Sequence, residues 1–428
     1  MEVTLPYGDQ NITICIADQN ISVDILVPNK YELKDGRIPQ DQLVINALSS
    51  PLGWINPFNR VSTDTRVAIV INDKTRPVPN SILLPSLIAK LLDYGVLEEN
   101  ITFFIASGTH VPMQPNEYQL ILDDQMIKKF KISAHNCDDI DNLYEIGITT
   151  RGTPVVVNRS FMNCDLKIVV GDIELHHFAG YSGGVKSAAI GLCGRQTINM
   201  NHTLLLDPRA TIGNYQDNPL RQDIEEIGNL IGVNYALNAV LNEKNEILQV
   251  FFGEPLSVMQ EGIKLVNKLC QVPVEGLYDL VIASAGGYPK DINLYQSQKA
   301  MTHAARFCRQ DGAIFLLAEC REGVGSQGYL NYMKNLPSPQ QVIDEFSSEG
   351  FSVGPHKAYQ VARILEKCKV FLRSSMDDRL VRSLLMNPLP HQNDLTDLIR
   401  VFLPDTKRIA ILPYATACIP ALPGGSNE

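Results

Sequence analysis

The chain has 428 residues, 45% of them hydrophobic, and this length predicts two or three domains with separate cores. Its net charge of −10 disfavours a nucleic-acid or anionic-membrane partner, because both require a basic face. Nine cysteines, an odd number without a CxxC pair, disfavour a zinc ribbon or a disulfide framework. The amino terminus lacks the basic and apolar blocks of a signal peptide, and no apolar run reaches membrane-spanning length. We therefore expect a cytoplasmic protein.

Short apolar runs rich in valine and isoleucine alternate with segments of helical periodicity. In chain order, we predict strands at 66–71, 101–106, 165–171, 279–287, 312–320 and 407–415, and helices at 80–95 and 293–308. Continuous apolar strands between helices are typical of parallel sheets that are covered on both faces. The predicted fold class is therefore α/β, with mostly parallel sheets.

A domain boundary is predicted near Cys270–Asp279, where proline and glycine follow a helical segment and precede a new strand. We assign residues 1–270 to an amino-terminal domain and residues 271–428 to a carboxyl-terminal domain. The segment after about Arg400 contains a further strand, and the sequence leaves open which domain it joins.

Polar loops that carry glycine or proline follow four of the predicted strands. Ligands of open α/β sheets bind beyond the carboxyl ends of the strands, so these loops predict a common pocket. The side chains that we expect to line it are Asp73, Arg76, His110, His176 and Lys186. A loop from the second domain would face them across a cleft.

The segment "GYSGGVKS", Gly180–Ser187, is one residue away from the phosphate-binding pattern GxxxxGK(S/T). Val185 stands where the last glycine belongs, and a β-branched residue is poor in the backbone conformations required there. The loop also begins several residues after its strand, whereas a phosphate-binding loop follows its strand closely. We therefore reject a nucleotide triphosphatase, although backbone N–H groups could still hold a phosphate monoester. The plain alternative is a surface loop with a solvated lysine.

Four histidines and one lysine are the residues of the inferred pocket and its surroundings that could carry chemistry. His110 and His176 suit a general acid and base, or they are hydrogen-bonded structural residues. Lys186 suits a nucleophile in a pocket, or it is solvated. His177 is interpreted as structural, because neighbouring side chains diverge in an extended segment. His202 alone cannot form a conventional zinc site, which needs three or four protein ligands.

The helix predicted at 293–308 begins with a phenol, an amide and an ammonium group. Tyr295 and Lys299 share a face, and Gln296 is three residues from Lys299. This set suits a carboxylate ligand, and the alternative is an ordinary wet helix face. Arg76 lies in a proline-bearing loop, where it could clamp an anion or simply pair with Asp73.

Six stretches in this order carry a resemblance that covers most of the chain. They are "DKTRPVP", "ASGTHVP", "HHFAGYSGGVKS", "NMNH", "ATIGN" and "GGYPKDINLYQSQKAM". Together they resemble the nickel-pincer nucleotide-dependent lactate racemase family. The resemblance implies two α/β domains with the active site in the cleft between them. It also implies a nicotinate-derived mononucleotide whose nickel is held by two sulfur atoms and a ring carbon.

Carried over residue by residue, the resemblance makes Lys186 the covalent anchor of the cofactor and His202 the protein ligand of nickel. One histidine suffices in this family because the cofactor brings the other donors, and soft sulfur donors with one imidazole suit nickel. The further cofactor-binding residues that it implies are Asp73, Ser182, Gly183 and Gly184.

The resemblance also implies a reaction on a 2-hydroxy acid, whose C2 hydride passes reversibly to the cofactor. His110 and His176 would be the paired acid and base, because each enantiomer needs its own base. The residues that it places around the substrate carboxylate are Arg76, Tyr295, Gln296 and Lys299. The implied partners are a small 2-hydroxy acid and the enzymes that mature the cofactor, and we expect a monomer or homodimer.

One departure from the family concerns the substrate. Lactate-specific members have a tryptophan against the substrate, whereas the corresponding position here is His356 and the chain's single tryptophan, Trp54, lies elsewhere. A more polar site predicts a 2-hydroxy acid that is larger or more polar than lactate. The alternatives are a lactate racemase, or a non-catalytic protein that binds an organic acid or a nucleotide.

Overall fold

The computed structural model describes residues 1–30, 38–53, 61–76, 78–242, 244–352 and 354–423. The chain divides into two compact units. The inserted unit is Tyr31–Lys268, and the terminal unit combines Met1–Lys30 with Leu269–Glu428. In the described part of the chain, no helix is long and apolar enough to cross a membrane.

The described strands are β1 (Glu2–Tyr7), β2 (Gln10–Cys15), β3 (Ser22–Ile25), β4 (Val67–Asn72), β5 (Ile101–Ala106), β6 (Lys131–Ala134), β7 (Leu143–Ile148), β8 (Pro154–Asn158), β9 (Leu166–Asp172), β10 (Leu175–His176), β11 (Gly180–Tyr181), β12 (Tyr235–Leu241), β13 (Ile247–Gly253), β14 (Gln271–Pro273), β15 (Tyr278–Ser284), β16 (Cys308–Leu317), β17 (Cys368–Arg373), β18 (Asn387–Pro388), β19 (Arg408–Leu412) and β20 (Ile419–Ala421).

The described α-helices are α1 (Gln40–Ser49), α2 (Asn80–Asp93), α3 (Asp124–Lys129), α4 (Arg159–Met162), α5 (Lys186–Ala189), α6 (Arg195–Thr203), α7 (Pro219–Ile231), α8 (Pro255–Cys270), α9 (Leu294–Phe307), α10 (Gln327–Lys334), α11 (Pro339–Glu349), α12 (Pro355–Lys367), α13 (Asp378–Ser383) and α14 (Thr396–Phe402).

The inserted unit is built on a six-stranded sheet with the order β13-β12-β9-β4-β5-β6. All neighbouring pairs are parallel except β12 and β13. Strand β4 is fully buried over Val67–Ile71, as expected for a strand that is covered on both faces. Because β9, β4 and β5 are parallel neighbours, the loops that follow them leave from the same edge of the sheet.

The terminal unit has its own six-stranded sheet, with the order β18-β17-β16-β15-β19-β3 and parallel pairing throughout. Strands β1 and β2 form a separate antiparallel hairpin in this unit. The prediction of an α/β fold with mostly parallel sheets is confirmed.

The first 30 residues lie in the terminal unit, whereas the sequence-based boundary placed them with residues up to 270. The cause is β3, a four-residue edge strand that pairs with β19. The hydroxyl of Tyr278 also donates a hydrogen bond to Asp24 on β3, at 2.8 Å. The segment after Arg400 joins the terminal unit as well, because β19 lies between β15 and β3. Strand β3 is short and only half-buried, so its sequence carries little hydrophobic pattern from which to predict it.

Candidate active site

Asp73 and His110 meet at the carboxyl edge of the inserted unit, because β4 and β5 are parallel neighbours. Nδ1 of His110 lies 2.7 Å from Oδ2 of the buried Asp73. Thr75 donates its backbone N–H and its hydroxyl to the other oxygen of Asp73. Burial alone would raise the pKa of Asp73, but the hydrogen bonds from His110 and Thr75 bring it below its ordinary value. An ionised Asp73 therefore holds the proton of His110 on Nδ1 and leaves Nε2 as the basic atom.

A cavity of about 430 Å³ lies beside this pair, lined by Asp73, Thr75, His110 and the segment 111–114. Val111 is 85% exposed, although it is a large aliphatic residue. The side chain of His110 is about half exposed, at 54%, so Nε2 is within reach of a small ligand. Geometry and space therefore agree with an acid–base role for His110.

His176 lies in a small hairpin, formed by β10 and β11, that follows β9. The backbone N–H of Ala179 donates to Nδ1 of the buried His176 at 3.1 Å, so the neutral ring carries its proton on Nε2. His110 and His176 thus have opposite tautomers: one presents a base at Nε2 and the other presents an acid. The hydrogen bonds of the backbone and of Asp73 impose this difference before any ligand binds.

The expected divergence of His176 and His177 is wrong. Their rings stack, with centroids 4.6 Å apart and planes 15° from parallel. The reason is that β10 ends at His176, and the chain then turns, so the two side chains no longer alternate. Phe178 contacts the edges of both rings, and its own centroid lies 5.3 Å from that of His202.

Gly183 and Gly184 have positive φ values, +87° and +59°, which most residues avoid. A Cβ at Gly183 would lie 2.7 Å from Ile173, and a Cβ at Gly184 would lie 2.6 Å from Met259. The glycines are therefore required by the packing of the loop on its own unit. They bring the chain to Lys186, the first residue of α5.

Burial lowers the pKa of Lys186 to about 7, with a further contribution from the charges of Arg76 and Arg221. The carboxylates of Glu174 and Asp172 oppose this shift. A large fraction of the amine is therefore neutral near pH 7, as a nucleophile requires. Arg76 lies 3.6 Å from Glu174, so its ion pair is with Glu174 rather than with Asp73, the alternative that the sequence left open. Asp73 is already engaged by His110 and Thr75.

His202 lies on α6, where burial and the nearby charge of Lys186 lower its pKa to about 3. The imidazole is thus neutral at physiological pH, which is the form that binds metals.

The residues around Lys186 fit a bound cofactor. Ser107 and Ser182 have buried hydroxyl groups without a hydrogen-bond partner among the residues that the structure describes. Buried polar groups of this kind are normally satisfied by a ligand or water. No three His, Cys, Asp or Glu side chains within the described ranges are grouped so as to hold a metal ion.

In the terminal unit, Tyr295 and Gln296 occupy the first turn of α9, and Lys299 is exposed one turn later. Asn293 caps this helix by accepting the backbone N–H of Gln296 at 3.1 Å. Sequence reasoning missed Lys357 on α12, which is only 5% exposed and whose ammonium lies 5.7 Å from the centre of the Tyr295 ring. A single lysine in an amphipathic helix gives no signal of burial.

His356, at the start of α12, is 8% exposed and packs against Phe351, with ring centroids 5.2 Å apart. Its Nδ1 accepts the backbone N–H of Gly354 at 3.2 Å. Trp54, with which His356 was contrasted, lies outside the described residues.

Two family models match the chain in succession. Residues 7–213 match the lactate racemase N-terminal domain, and residues 275–419 match the lactate racemase C-terminal domain. The chain belongs to the lactate racemase family. As a member of this family it is an isomerase.

Curated relatives of this racemase-family chain include the lactate racemase of Thermoanaerobacterium thermosaccharolyticum, which is 27% identical over 97% of this chain and 98% of its own length. The lactate racemase of Lactiplantibacillus plantarum is 28% identical over 80% of each chain. The solved structure of the Thermoanaerobacterium thermosaccharolyticum lactate racemase apoprotein matches with a TM-score of 0.88 and 26% identity, over 98% of this chain and 100% of that one. A protein from Thermotoga maritima, with a TM-score of 0.62 and 16% identity over 91% of this chain and 100% of that one, shares the fold.

Proposed function

We propose that the chain racemises or epimerises a 2-hydroxy acid with a nickel-pincer nucleotide held covalently by Lys186. The observation that carries this proposal is the run of ring contacts that joins His202, through Phe178, to His176 in the hairpin that leads to Lys186, a buried lysine whose pKa is lowered to about 7. His202 would be the nickel ligand, and Ser182 and Asp73 would contact the cofactor. When bound, the cofactor supplies the reversible oxidation of the substrate at C2.

The acid–base work falls to His110 and His176. Nε2 of His110 takes the hydroxyl proton of one enantiomer, and Asp73 stabilises the resulting imidazolium through the 2.7 Å contact to Nδ1. Nε2–H of His176 would then give its proton to the substrate oxygen as the product of opposite configuration forms. Solvent would take the proton held by His110 and reprotonate Nε2 of His176, which restores the starting state. The protonation state before that exchange, with His110 protonated and Nε2 of His176 unprotonated, would run the opposite direction with the two roles exchanged.

The substrate carboxylate needs fixed donors near the reacting carbon. In the inserted unit, Arg76 would supply a guanidinium, whose ion pair with Glu174 is long, at 3.6 Å. In the terminal unit, Gln296 and Lys299 supply an amide and an ammonium group from one face of α9, with Tyr295 on the same helix.

The central test is the intact-protein mass after co-expression with the cofactor-maturation enzymes. We expect a mass increase equal to one nickel nucleotide, which disappears in Lys186→Ala. Lys264→Ala is the matched control, because Lys264 is exposed and pairs with Glu261 on the surface. An unmodified mass together with full racemase activity would contradict the proposal. A non-catalytic binding protein would bind its ligand equally well in Lys186→Ala and turn nothing over.

The substrate class rests on His356 in place of the family tryptophan. A polar ring at this position favours a 2-hydroxy acid with a larger or more polar side chain than the methyl group of lactate. Lactate itself is the second candidate, because both curated relatives bear the name lactate racemase. Turnover of a panel of 2-hydroxy acids distinguishes them: fastest racemisation of lactate would refute the polar substrate.

A further inference from the structure

The loop that leads to Lys186 is hydrogen-bonded to the start of α7 and to the segment that precedes α7. Asn218, the residue that caps α7, donates its side-chain amide to the carbonyl of Phe178 at 2.8 Å. Gly213 donates its backbone N–H to the carbonyl of Gly180 at 3.1 Å. The chain is therefore anchored before it enters the two positive-φ glycines.

Arg221, in the first turn of α7, completes this support and is fully buried. Its Nη1 donates to the carbonyl of Tyr181 at 2.9 Å, and its Nη2 donates to the carbonyl of Gly183 at 3.1 Å. These carbonyls belong to the peptide groups 181–182 and 183–184, so one guanidinium holds two peptide planes of the loop, one before Ser182 and one after Gly183. Only a planar fork of N–H groups can reach both oxygens at once.

The guanidinium is itself held in place by a carboxylate and a ring. Nε and Nη2 of Arg221 donate to Oε1 of Glu225, at 2.8 and 2.6 Å. The hydroxyl of Tyr215 donates to the same oxygen at 2.8 Å, and the guanidinium lies 5.0 Å from the centre of the Tyr215 ring. A buried cation with this many fixed partners is costly to disturb, because removing one partner leaves an uncompensated charge.

The contact has a direct bearing on the cofactor anchor. Gly183, the second residue bound by Arg221, is three positions before Lys186, and a Cβ at Gly184 would lie 3.1 Å from Nη2 of Arg221. The backbone conformation that Arg221 imposes on the loop determines where Lys186 lies at the start of α5. The same conformation determines the direction of the buried Ser182 hydroxyl.

We infer that Arg221 is a positioning residue for cofactor attachment: its guanidinium holds the Tyr181–Gly184 loop so that the amine of Lys186 is presented in one place. The inference rests on the proposed function of Lys186 as the anchor. Arg221 touches neither the substrate nor the cofactor, and it acts through the loop.

The test compares Arg221→Lys, which keeps the charge but loses the fork, with wild type and with Arg209→Met. Arg209 is a matched control, because it is exposed and pairs with Asp207 on the surface. Intact mass after co-expression measures the loaded fraction. In unloaded protein, hydrogen exchange measures protection of the Ser182 and Gly184 amides, which donate to Glu174 O and Asn238 Oδ1 at 2.8 Å each.

We expect Arg221→Lys to load less than about a tenth as much as wild type and to exchange both loop amides at least about tenfold faster. Arg209→Met should behave as wild type in both measurements. Wild-type loading, or wild-type exchange of the loop, in Arg221→Lys would overturn the inference. If wild type itself does not load, the proposed function fails, and the exchange rates still decide the role of Arg221.

The kinetics of the loaded fraction distinguish a positioning role of Arg221 from a purely structural one. We expect kcat per loaded molecule to fall in Arg221→Lys while KM stays within about twofold of wild type, because the carboxylate donors lie on other elements. An unchanged kcat per loaded molecule would overturn the inference. If Arg221→Lys does not fold, Glu225→Gln loosens the same fork with less change in shape. Wild-type loading and exchange in Glu225→Gln would then refute the role.

Discussion

Replacing Gly228 with alanine places a methyl group in the space that Val185 occupies. Gly228 is buried in α7, and Val185 is the residue before Lys186. A Cβ at position 228 would lie 2.4 Å from Cβ of Val185 and 2.6 and 2.8 Å from its two methyl groups. Favourable carbon contacts lie near 3.5–4.0 Å, so one of the two backbones must move by roughly 1 Å.

The expected cost follows from two opposing terms. Alanine stabilises a helix interior by about 1 kcal/mol relative to glycine. Overpacking a well-filled core costs about 1–3 kcal/mol, and the upper end applies here because the nearest atom is a Cβ that no rotamer change can withdraw. Gly228→Ala should therefore lower the free energy of unfolding by about 2 kcal/mol. It should also reduce cofactor loading, because the displaced Val185 carries Lys186 with it.

A double-mutant cycle with Val185→Gly isolates the contact. Val185→Gly alone removes a buried side chain and adds backbone freedom, at a cost of about 3 kcal/mol. In the double variant the overpacking disappears and the helix gain of alanine remains, so the total cost should be about 2 kcal/mol rather than the additive 5 or so. Urea denaturation followed by circular dichroism measures all four free energies. Additivity within about 0.5 kcal/mol would refute the reasoning.

Two further predictions concern charge. Asp73→Asn should reduce kcat by roughly ten- to a hundredfold with little change in KM, because the amide no longer stabilises the His110 imidazolium; Asp165→Asn, at an exposed pair, should match wild type. Burial lowers the pKa of His303 from 6.5 to about 4 in the folded chain. As the pH falls, the unfolded chain therefore binds a proton at His303 at a higher pH than the folded chain does. Unfolding free energy should drop by about 3 kcal/mol from pH 6.5 to 4. His303→Asn, which can still donate to the Cys418 carbonyl, should flatten this slope in pH-dependent denaturation; an unchanged slope would contradict the assignment.

The residues at strand ends were predictable because a polar residue directly after a valine-rich run must sit at the sheet edge. Asp73 and His110 were placed together on this ground alone, and the structure brings them within 2.7 Å. The partner of Arg76 was not predictable by the same logic. Pairing with Asp73 was left open as an alternative to anion binding, but Thr75 and His110 already engage the two oxygens of that carboxylate.

The support of the anchor loop could not be read from the sequence. Arg221 and Glu225 are four residues apart in an amphipathic helix, a spacing that is usual for an exposed ion pair. Nothing in their spacing indicates that Arg221 is completely buried and faces a loop about forty residues earlier in the chain. Burial of Lys357 was hidden for the same reason. The contacts of a buried charged residue such as Arg221 depend on the assembled fold. The position of a polar residue after a strand, such as Asp73, follows from the local sequence.

The order of the sheet in the terminal unit constrains how the protein can fold during synthesis. The inserted unit is one continuous stretch, so all of its strands are synthesised before the second part of the terminal unit. In chain order the large sheet of the terminal unit begins with β3, whose neighbour among the described strands of that sheet is β19. Strand β3 must therefore stay unpaired until β19 has been synthesised and has packed beside β15. A ribosome that stalls after α8 would release a chain in which the sheet of the inserted unit is complete and β3 is unpaired. An unpaired strand exposes backbone groups that can pair with another chain.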